Sequence, residues 1–300
     1  MTNRRAFLKH LGIGALSVSV LPSMALPMDF TGNKKLFFDI SLAEWSLHRT
    51  LFAKQLDNLD FPETAAKKFG IHAVEYVNQF FKDKAKDKAY LGELLQRATD
   101  QGVKNILIMV DGEGALGALD EKERSQAVEN HYKWVEAAKF LGCHAIRVNA
   151  AGKGTPEEVQ AAAIDGLGRL SEFAAPHGIS VIVENHGGVS SHGDWLSAVL
   201  QGVGKANCGS LPDFGNFYEY DRYQGVTEMM RFAKGVSAKT LGFNEQGDEA
   251  KIDYRRMLQI VKDAGYRGYV GIEYEGKELS EEEGIKATKR LLERVGEELS

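Results

Sequence analysis

The chain has 300 residues, of which 43% are hydrophobic and 26% are charged, with a formal net charge of -5. This composition is typical of a soluble protein with one large domain or two small ones. The acidic balance argues against a nucleic-acid-binding protein, which normally carries a basic excess. The two cysteines, Cys143 and Cys208, lie in apolar runs and are predicted to be buried thiols rather than a disulfide framework.

Residues 1–25 differ in character from the rest of the chain. Arg4 and Arg5 are followed by an uncharged stretch over 11–20 and then by a small-residue triplet. This order is typical of an export signal, and the paired arginines resemble those of a twin-arginine signal. We therefore expect this segment to be removed, residues 26–33 to be a short lead, and the mature protein to be periplasmic without a stable membrane anchor. The alternative is an N-terminal amphipathic helix.

After residue 34, a helical segment that ends at a glycine is repeatedly followed by an apolar run. The glycines are Gly70, Gly102, Gly142, Gly178 and Gly265. Glycine supplies the left-handed residue that commonly ends a helix. The runs that follow are nearly continuous in apolar residues, as expected for parallel strands covered on both faces. The repeat therefore predicts alternating helices and parallel strands.

Two helix starts are marked by capping patterns. Thr155 is followed by a proline and, three residues on, by Glu158, and Ser280 is followed by Glu283 at the same spacing. The final helix carries a predicted apolar face, made by Ile285, Leu291, Leu292 and Val295.

The repeat predicts eight strands in one domain, over residues 34–300. They are expected near 36–41, 73–77, 104–110, 144–149, 179–184, 207–212, 234–239 and 268–273. Their starts are separated by roughly the length of one strand–helix unit. Eight such units without a linker favour a closed (β/α)8 TIM barrel over an open sheet.

The strand ends of the predicted barrel are unusually polar. Glu184, Asp213 and Glu273 follow the fifth, sixth and eighth strands, and side chains at the carboxyl ends of barrel strands meet in one opening. Three clustered carboxylates repel one another, and a divalent cation relieves that repulsion. Oxygen-rich ligands suit Mg²⁺ or Mn²⁺, and mixed oxygen and nitrogen ligands admit Zn²⁺. The alternative is three separate salt bridges, with Arg147, Lys239 or another base.

Further polar and aromatic residues at the strand ends are candidates for substrate binding. They are Trp45, His48, Glu75, Arg147, Asn149 and His186. Trp45 and Tyr76 could stack on a sugar ring, and His186 is a candidate hydrogen-bond donor or acid/base group. For His48, a role in the site and a purely structural role are equally favoured. Lys239, on the seventh strand, could stabilise a developing oxyanion.

Three strings in the second half of the chain carry a resemblance to a known family. ENHGG (184–188), LPDFGNF (211–217) and GIEYEG (271–276) resemble the xylose-isomerase-like superfamily of sugar isomerases and epimerases. That superfamily also contains inosose dehydratases and the second family of AP endonucleases, and the resemblance covers residues 34–300. It implies that Glu184, Asp213 and Glu273 are metal ligands and that the two glutamates are the acid/base pair.

The sequence departs from the family pattern at two positions. The family's fourth metal ligand is a histidine of the seventh strand, where this chain has Ser237, and a histidine that often follows the aspartate is Asn216. Water, His186 or a group from residues 244–246 could complete the metal shell. The missing histidines also argue against the three-zinc cluster of the AP endonuclease.

The resulting prediction is a metal-dependent sugar isomerase or epimerase. It would act on a keto-sugar or polyol by removing a proton next to a carbonyl, through an enediolate, with Glu184, Glu273 and Lys239 as catalytic residues and Mn²⁺, Mg²⁺ or Zn²⁺ as cofactor. The alternatives are a lyase, dehydratase or hydrolase of oxidised glycosides at the same site, and a non-catalytic carbohydrate-binding barrel. We expect a small carbohydrate as partner and possible homo-oligomers.

Overall fold

The computed structural model of the protein describes residues 35–300. The expected export signal at 1–25 and the lead at 26–33 lie outside the described residues. The predicted single-domain (β/α)8 barrel is confirmed. Its strands are β1 (Asp39–Ala43), β2 (Ala73–Val77), β3 (Lys104–Met109), β4 (Ala145–Val148), β5 (Ser180–Glu184), β6 (Cys208–Leu211), β7 (Val236–Thr240) and β8 (Tyr269–Tyr274). Its α-helices are α1 (His48–Phe52), α2 (Phe61–Phe69), α3 (Lys88–Asp100), α4 (Glu121–Leu141), α5 (Pro156–Ala174), α6 (Gly193–Val203), α7 (Arg222–Met229), α8 (Tyr254–Asp263) and α9 (Glu281–Leu299).

The local signals in the sequence have the predicted conformations. All five helix-ending glycines have a left-handed backbone, with φ between 63° and 76°. Both capping boxes form, at Thr155 with Glu158 and at Ser280 with Glu283. The four apolar residues expected on the inner face of the last helix are buried. These features depend on a few neighbouring residues, and so the sequence predicts them well.

The first strand begins three residues later than predicted, while the other seven starts agree within two residues. Pairing begins where the Asp39 amide donates to the Gly268 carbonyl at 3.2 Å. The apolar residues before it are used in packing instead, because Leu36 and Phe38 lie against Gly296 of α9. These two residues are therefore hydrophobic because they pack against a helix, and not because they belong to the sheet.

The sheet is parallel throughout and closes on itself. Its hydrogen-bonded order is β6, β5, β4, β3, β2, β1, β8 and β7. Between β6 and β7, two parallel bridges join Ser210 to Ala233 and Asp213 to Ser237. One of them includes a hydrogen bond from the Ser237 amide to the Pro212 carbonyl at 2.9 Å. This last contact brings the sixth and seventh strands, and the polar side chains at their ends, next to each other.

The apolar residues form two layers. The larger layer lies between strands and helices and contains Trp134 and Ile285 together with Cys143 and Cys208. Both cysteines are buried and unpaired, as predicted. Within residues 35–300, no helix has the length and apolar composition that crossing a bilayer requires.

The second, smaller layer lies inside the barrel and is apolar only in part. Its members include Ala43, Val77, Met109, Ile182 and Leu211. Because successive side chains of a strand point to opposite faces, the residues two positions further along share this inward direction. Several of those residues are charged. The barrel interior therefore changes from apolar to ionic toward the carboxyl ends of the strands, an end that we call the mouth.

Close packing between α9 and β8 depends on a glycine. A Cβ atom at Gly284 would lie 2.3 Å from the fully buried Tyr274 ring, whereas one at Gly92, in α3, would meet nothing within 4 Å.

We expect Gly284→Ala to lower the free energy of unfolding by about 1–3 kcal/mol through overpacking. Gly92→Ala, the matched control, should raise it by about 0.5–1 kcal/mol because alanine favours helix. Urea unfolding of both variants is the measurement, and a Gly284→Ala variant as stable as the parent would contradict this packing argument.

Candidate active site

Three carboxylates from separate strands converge at the mouth. Glu184 ends β5, Asp213 lies two residues beyond β6, and Glu273 lies in β8. One carboxylate oxygen from each lies within 4.8 Å of the other two. The three residues are 1%, 0% and 4% exposed. The structure thus brings together the three residues that the sequence nominates as metal ligands.

Asp213 is held by the backbone of its own loop. Its Oδ1 accepts hydrogen bonds from the amides of Gly215 and Asn216, both at 2.8 Å. The side chain of Asn185 pairs with the Asp213 backbone in both directions, at 2.8 and 3.0 Å. The side-chain nitrogen of Asn216, Nδ2, also donates to Glu184 Oε1 at 3.0 Å. Two asparagines therefore fix the carboxylates of β5 and β6 relative to each other.

Arg147 carries positive charge into the same cluster. Its Nε lies 2.9 Å from Glu184 Oε2, in an ion pair that is not aligned as a hydrogen bond. Its Nη1 donates to Asp111 Oδ1 at 2.8 Å, and Asn149 donates to that same oxygen at 2.7 Å. Arg147 and Asn149 thus lie beside the carboxylates, and Asp111 joins them.

Lys239 is shared among several acidic groups rather than paired with one. Its Nζ lies 3.2 Å from Glu273 Oε1, 3.8 Å from Asp213 Oδ2 and 3.3 Å from Glu275 Oε1. The Ser237 hydroxyl lies 2.7 Å from Asp213 and 2.9 Å from Glu273. A hydroxyl has one proton, so it can donate to only one of these carboxylates at a time. The three carboxylates therefore converge on one place, as a metal site requires, and also form salt bridges, which was the alternative drawn from the sequence.

The surroundings drive the pKa values of the two glutamates apart. Burial raises the pKa of Glu184 to about 7 in spite of Arg147, and the charge of Glu273 adds to the rise. Burial also acts on Glu273, but Lys239 and Arg147 outweigh it and lower the pKa of that carboxyl. Burial raises the pKa of Asp213 to about 7 against the effect of Lys239. A buried pair with one ionised carboxylate and one that can carry a proton suits acid/base chemistry.

Glu75 lies inside the barrel and not at the mouth. It is 2% exposed. Its Oε1 accepts from the Ser41 hydroxyl at 2.5 Å, while its Oε2 has no hydrogen-bond partner. Gly271 faces it, and a Cβ there would lie 2.6 Å from its carboxylate. Tyr76 points outward: it is fully buried and donates to Asn105 at 2.7 Å, so the expectation that it stacks on a sugar is wrong.

The other nominated residues surround the mouth at different distances from the carboxylates. His186 follows Glu184 by two residues and is exposed. Trp45 and His48 stack on each other with ring centroids 4.9 Å apart. The partners of His48 are the Trp45 carbonyl, at 2.7 Å, and Glu281, at 3.7 Å, so it is not brought into the carboxylate cluster.

Five residues of the cluster were not predicted as site residues from the sequence. They are Asp111, Asn185, Asn216, Ser237 as a partner of two carboxylates, and Glu275. Glu275 follows Glu273 by two positions, and the period of two along a strand is the signal that could have found it. The period of two gives no signal for Asn185, because the side chain of the adjacent Glu184 points to the opposite face of the strand.

The residues present fit a divalent cation. The three carboxylates could hold one ion, and the Ser237 oxygen lies close to two of them. Six buried or half-buried carboxylates face two positive charges here, so the cluster has an excess of negative charge: the acids are Glu75, Asp111, Glu184, Asp213, Glu273 and Glu275, and the bases are Arg147 and Lys239. The donor set is oxygen only, which is the set that Mg²⁺ and Mn²⁺ prefer.

Comparisons with known proteins agree with the barrel fold. A family profile described as "Xylose isomerase-like TIM barrel" matches residues 64–295. Among solved structures, a D-tagatose 3-epimerase-like protein has a TM-score of 0.69 at 18% identity, covering 88% of this chain and 100% of its own. The IOLI protein, solved with a binding zinc atom, gives 0.67 at 19% identity, with 87% and 99% covered. The 3-keto-D-glucoside 4-epimerase from E. coli gives 0.61 at 15% identity, with 86% and 99% covered. A search of curated protein sequences found no significant match.

Glu75 generates a prediction about pH. Burial raises its pKa to about 7, and the charges of Glu273 and Glu184 add to the rise, while the Ser41 hydrogen bond opposes it. In an unfolded chain a glutamate has a pKa of about 4.3. The folded protein therefore holds this proton more tightly, so its contribution to stability is fully present below pH about 4 and is lost as the pH rises through 7.

We expect Glu75→Gln to become more stable relative to the parent as the pH rises from 4.5 to 8, by on the order of 1–3 kcal/mol. Urea unfolding of the protein in EDTA across this range is the measurement. Glu172→Gln, at a side chain that is 67% exposed, is the control and should show no such trend. A stability difference for Glu75→Gln that does not change with pH would contradict the buried, protonated state.

Proposed function

Because the chain belongs to the xylose isomerase-like TIM barrel family, we propose that it is a metal-dependent isomerase or epimerase of a keto-sugar or polyol. The observation that carries the proposal is the buried pair Glu184 and Glu273. Their carboxylate oxygens lie within 4.8 Å of each other and of Asp213, and their pKa values are shifted in opposite directions. Such a pair can move a proton between two atoms of one small substrate.

The two glutamates take complementary roles. Glu273, whose pKa Lys239 and Arg147 lower, is ionised and removes the proton beside the substrate carbonyl. In the absence of a bound ion, burial raises the pKa of Glu184 to about 7, which makes Glu184 the member of the pair that returns a proton to the substrate. Return to the opposite face of the same carbon gives an epimer, and return to the neighbouring carbon gives an isomer.

Positive groups stabilise the negative charge that develops on the substrate oxygen. The Lys239 ammonium, 3.2 Å from Glu273, is placed to donate to that oxygen as the enediolate forms. A divalent ion held by the three carboxylates would supply a Lewis acid for the same carbonyl. Arg147 stays paired with Glu184 and Asp111, so it orients those carboxylates rather than the substrate.

The polar lining of the mouth supports a sugar as the substrate class. Asn149 and His186 offer hydrogen-bonding groups next to the carboxylates, and Trp45 offers an apolar ring. Two of the structural relatives are described as a D-tagatose 3-epimerase-like protein and a 3-keto-D-glucoside 4-epimerase, names that also support a carbohydrate.

The proposal predicts loss of proton exchange in two variants. Glu184→Gln and Glu273→Gln should each slow solvent deuterium incorporation into the substrate by about 10²–10⁴-fold, because each removes one partner of the proton transfer. The measurement is NMR on a panel of ketoses, aldoses and 3-keto-glucosides in D₂O with added Mn²⁺, Mg²⁺ or Zn²⁺. The panel also separates an isomer from a product that has lost water.

Glu129→Gln, at an exposed position of α4, is the matched control and should exchange at the parent rate. Parent-like exchange in either active-site variant would remove that glutamate from the proposed role. A panel in which no sugar exchanges would reject the isomerase proposal itself.

The proposal also predicts one divalent ion per chain, with Mg²⁺ or Mn²⁺ preferred over Zn²⁺ because the ligands are oxygens. Asp213→Asn should weaken binding by at least about tenfold, since it removes one of three charged ligands. Equilibrium dialysis followed by elemental analysis is the measurement, with exposed Asp100→Asn as the control. Equal metal content in the parent and in Asp213→Asn would place the ion elsewhere.

A further inference from the structure

Four aromatic side chains gather at one side of the mouth, and we call Trp45, His48, Phe52 and Phe80 the aromatic rim. Trp45 lies 4.9 Å from His48, 6.0 Å from Phe52 and 6.1 Å from Phe80, measured between ring centroids. Phe52 and Phe80 are 5.0 Å apart. Trp45 and Phe80 lie in the short turns that directly follow β1 and β2. The aromatic rim is therefore at the same end of the barrel as the carboxylates.

The aromatic rim forms a continuous apolar surface from the barrel interior to the outside. Trp45 and Phe80 pack against the inner apolar layer, which includes Ala43 and Val77. Phe52 stands at the outer end and is 55% exposed. An exposed phenylalanine in a connected aromatic group beside a polar site is a typical feature of ligand binding.

A cavity of about 360 Å³ opens beside the aromatic rim, and Phe52 and Phe80 form part of its wall. Asn58 also lines it and is 5% exposed. The Asn58 amide nitrogen donates to the Tyr90 hydroxyl at 2.8 Å, but its Oδ1 has no hydrogen-bond partner. This oxygen is shielded from solvent, so Asn58 contributes to the cavity wall through its packing and its hydrogen bond to Tyr90.

The charge of the cavity points to a neutral ligand. Its ionisable lining residues are Lys54 and Asp57, one of each sign, and Gln79 adds a neutral amide. Lys54 is also the one non-glycine residue with a left-handed backbone among residues 35–300, with φ of 56°. Strain of this kind is commonly kept at binding sites. A phosphate ester would find no excess of positive charge here.

We propose that this cavity binds the second ring of a neutral glycoside. The inference rests on the proposed function, because it places the first, reacting sugar at the carboxylates. A pyranose ring has one face of C–H groups, which packs on Phe52 and Phe80, and hydroxyl groups at its edge, which pair with the exposed amide of Gln79. Trp45, which contacts both phenylalanines, extends this aromatic surface toward the barrel interior. The substrate class is thus a sugar that carries a further sugar, rather than a free monosaccharide.

The test compares a one-ring and a two-ring ligand, methyl β-D-glucopyranoside and cellobiose, by ligand-observed NMR titration of the full protein. We expect cellobiose to bind at least about tenfold more tightly. Phe52→Ala and Phe80→Ala should each bring cellobiose to the affinity of the one-ring ligand and leave that ligand unchanged. Phe140→Ala, at a phenylalanine that is 40% exposed at the end of α4, is the matched control and should change neither affinity.

Tryptophan fluorescence locates the binding event. Trp134 is fully buried and Trp195 is 8% exposed, whereas Trp45 is half-buried at the aromatic rim. Cellobiose should therefore change the emission of the parent and of Phe140→Ala, and this change should disappear in Trp45→Phe.

Two results would overturn the proposal: equal affinity for the two ligands, including no binding of either, or a cellobiose advantage that survives in Phe52→Ala and Phe80→Ala. The failure of the proposed function has a different signature, because it is read from deuterium exchange. Exchange without a cellobiose advantage rejects the second-ring site alone. A cellobiose advantage without exchange in any sugar rejects the isomerase while the second-ring site stands.

Discussion

The constraint on which the rest of this structure depends is the burial of several carboxylates inside the barrel, where residues 35–300 supply only two buried positive side chains, Arg147 and Lys239. Glu184, Asp213 and Glu273 have almost no contact with solvent, and a buried charge is costly unless it is paired. Arg147 and Lys239 supply part of the compensation, and the remainder comes from donors such as the Ser237 hydroxyl and backbone amides. The same imbalance of charge creates the shifted pKa values and the place for a cation.

The fold stabilises this arrangement by close packing around it. Gly271 leaves room for the Glu75 carboxylate, and Gly284 lets α9 approach the strand that carries Glu273. Asn185 ties the end of β5 to the loop of Asp213 through two hydrogen bonds. The site is therefore built on strands and braced loops, which keep reacting groups in place better than free loops do.

The mouth combines two surfaces with different chemistry. One side, from β3 to β8, presents charged and amide groups, while the other, after β1 and β2, presents aromatic rings. A carbohydrate has both polar edges and apolar faces, and a larger carbohydrate can use both surfaces at once. Ser237 stands at the position where the family resemblance predicts a histidine, and its hydroxyl lies within hydrogen-bond distance of two of the carboxylates.

The sequence by itself determined the alternation of helices and strands, the helix ends at five glycines, both capping boxes and the three converging carboxylates. Each of these depends on local chain geometry or on the rule that barrel strands end on one face. Only the tertiary structure decided that Lys239 is shared among Asp213, Glu273 and Glu275, that Glu75 lies beneath the site, and that Tyr76 faces outward. It also decided that Leu36 and Phe38 pack under α9 and that Phe52 and Phe80 meet Trp45. These outcomes depend on contacts between residues far apart in the chain, and side-chain type at one position does not specify which distant partner it meets.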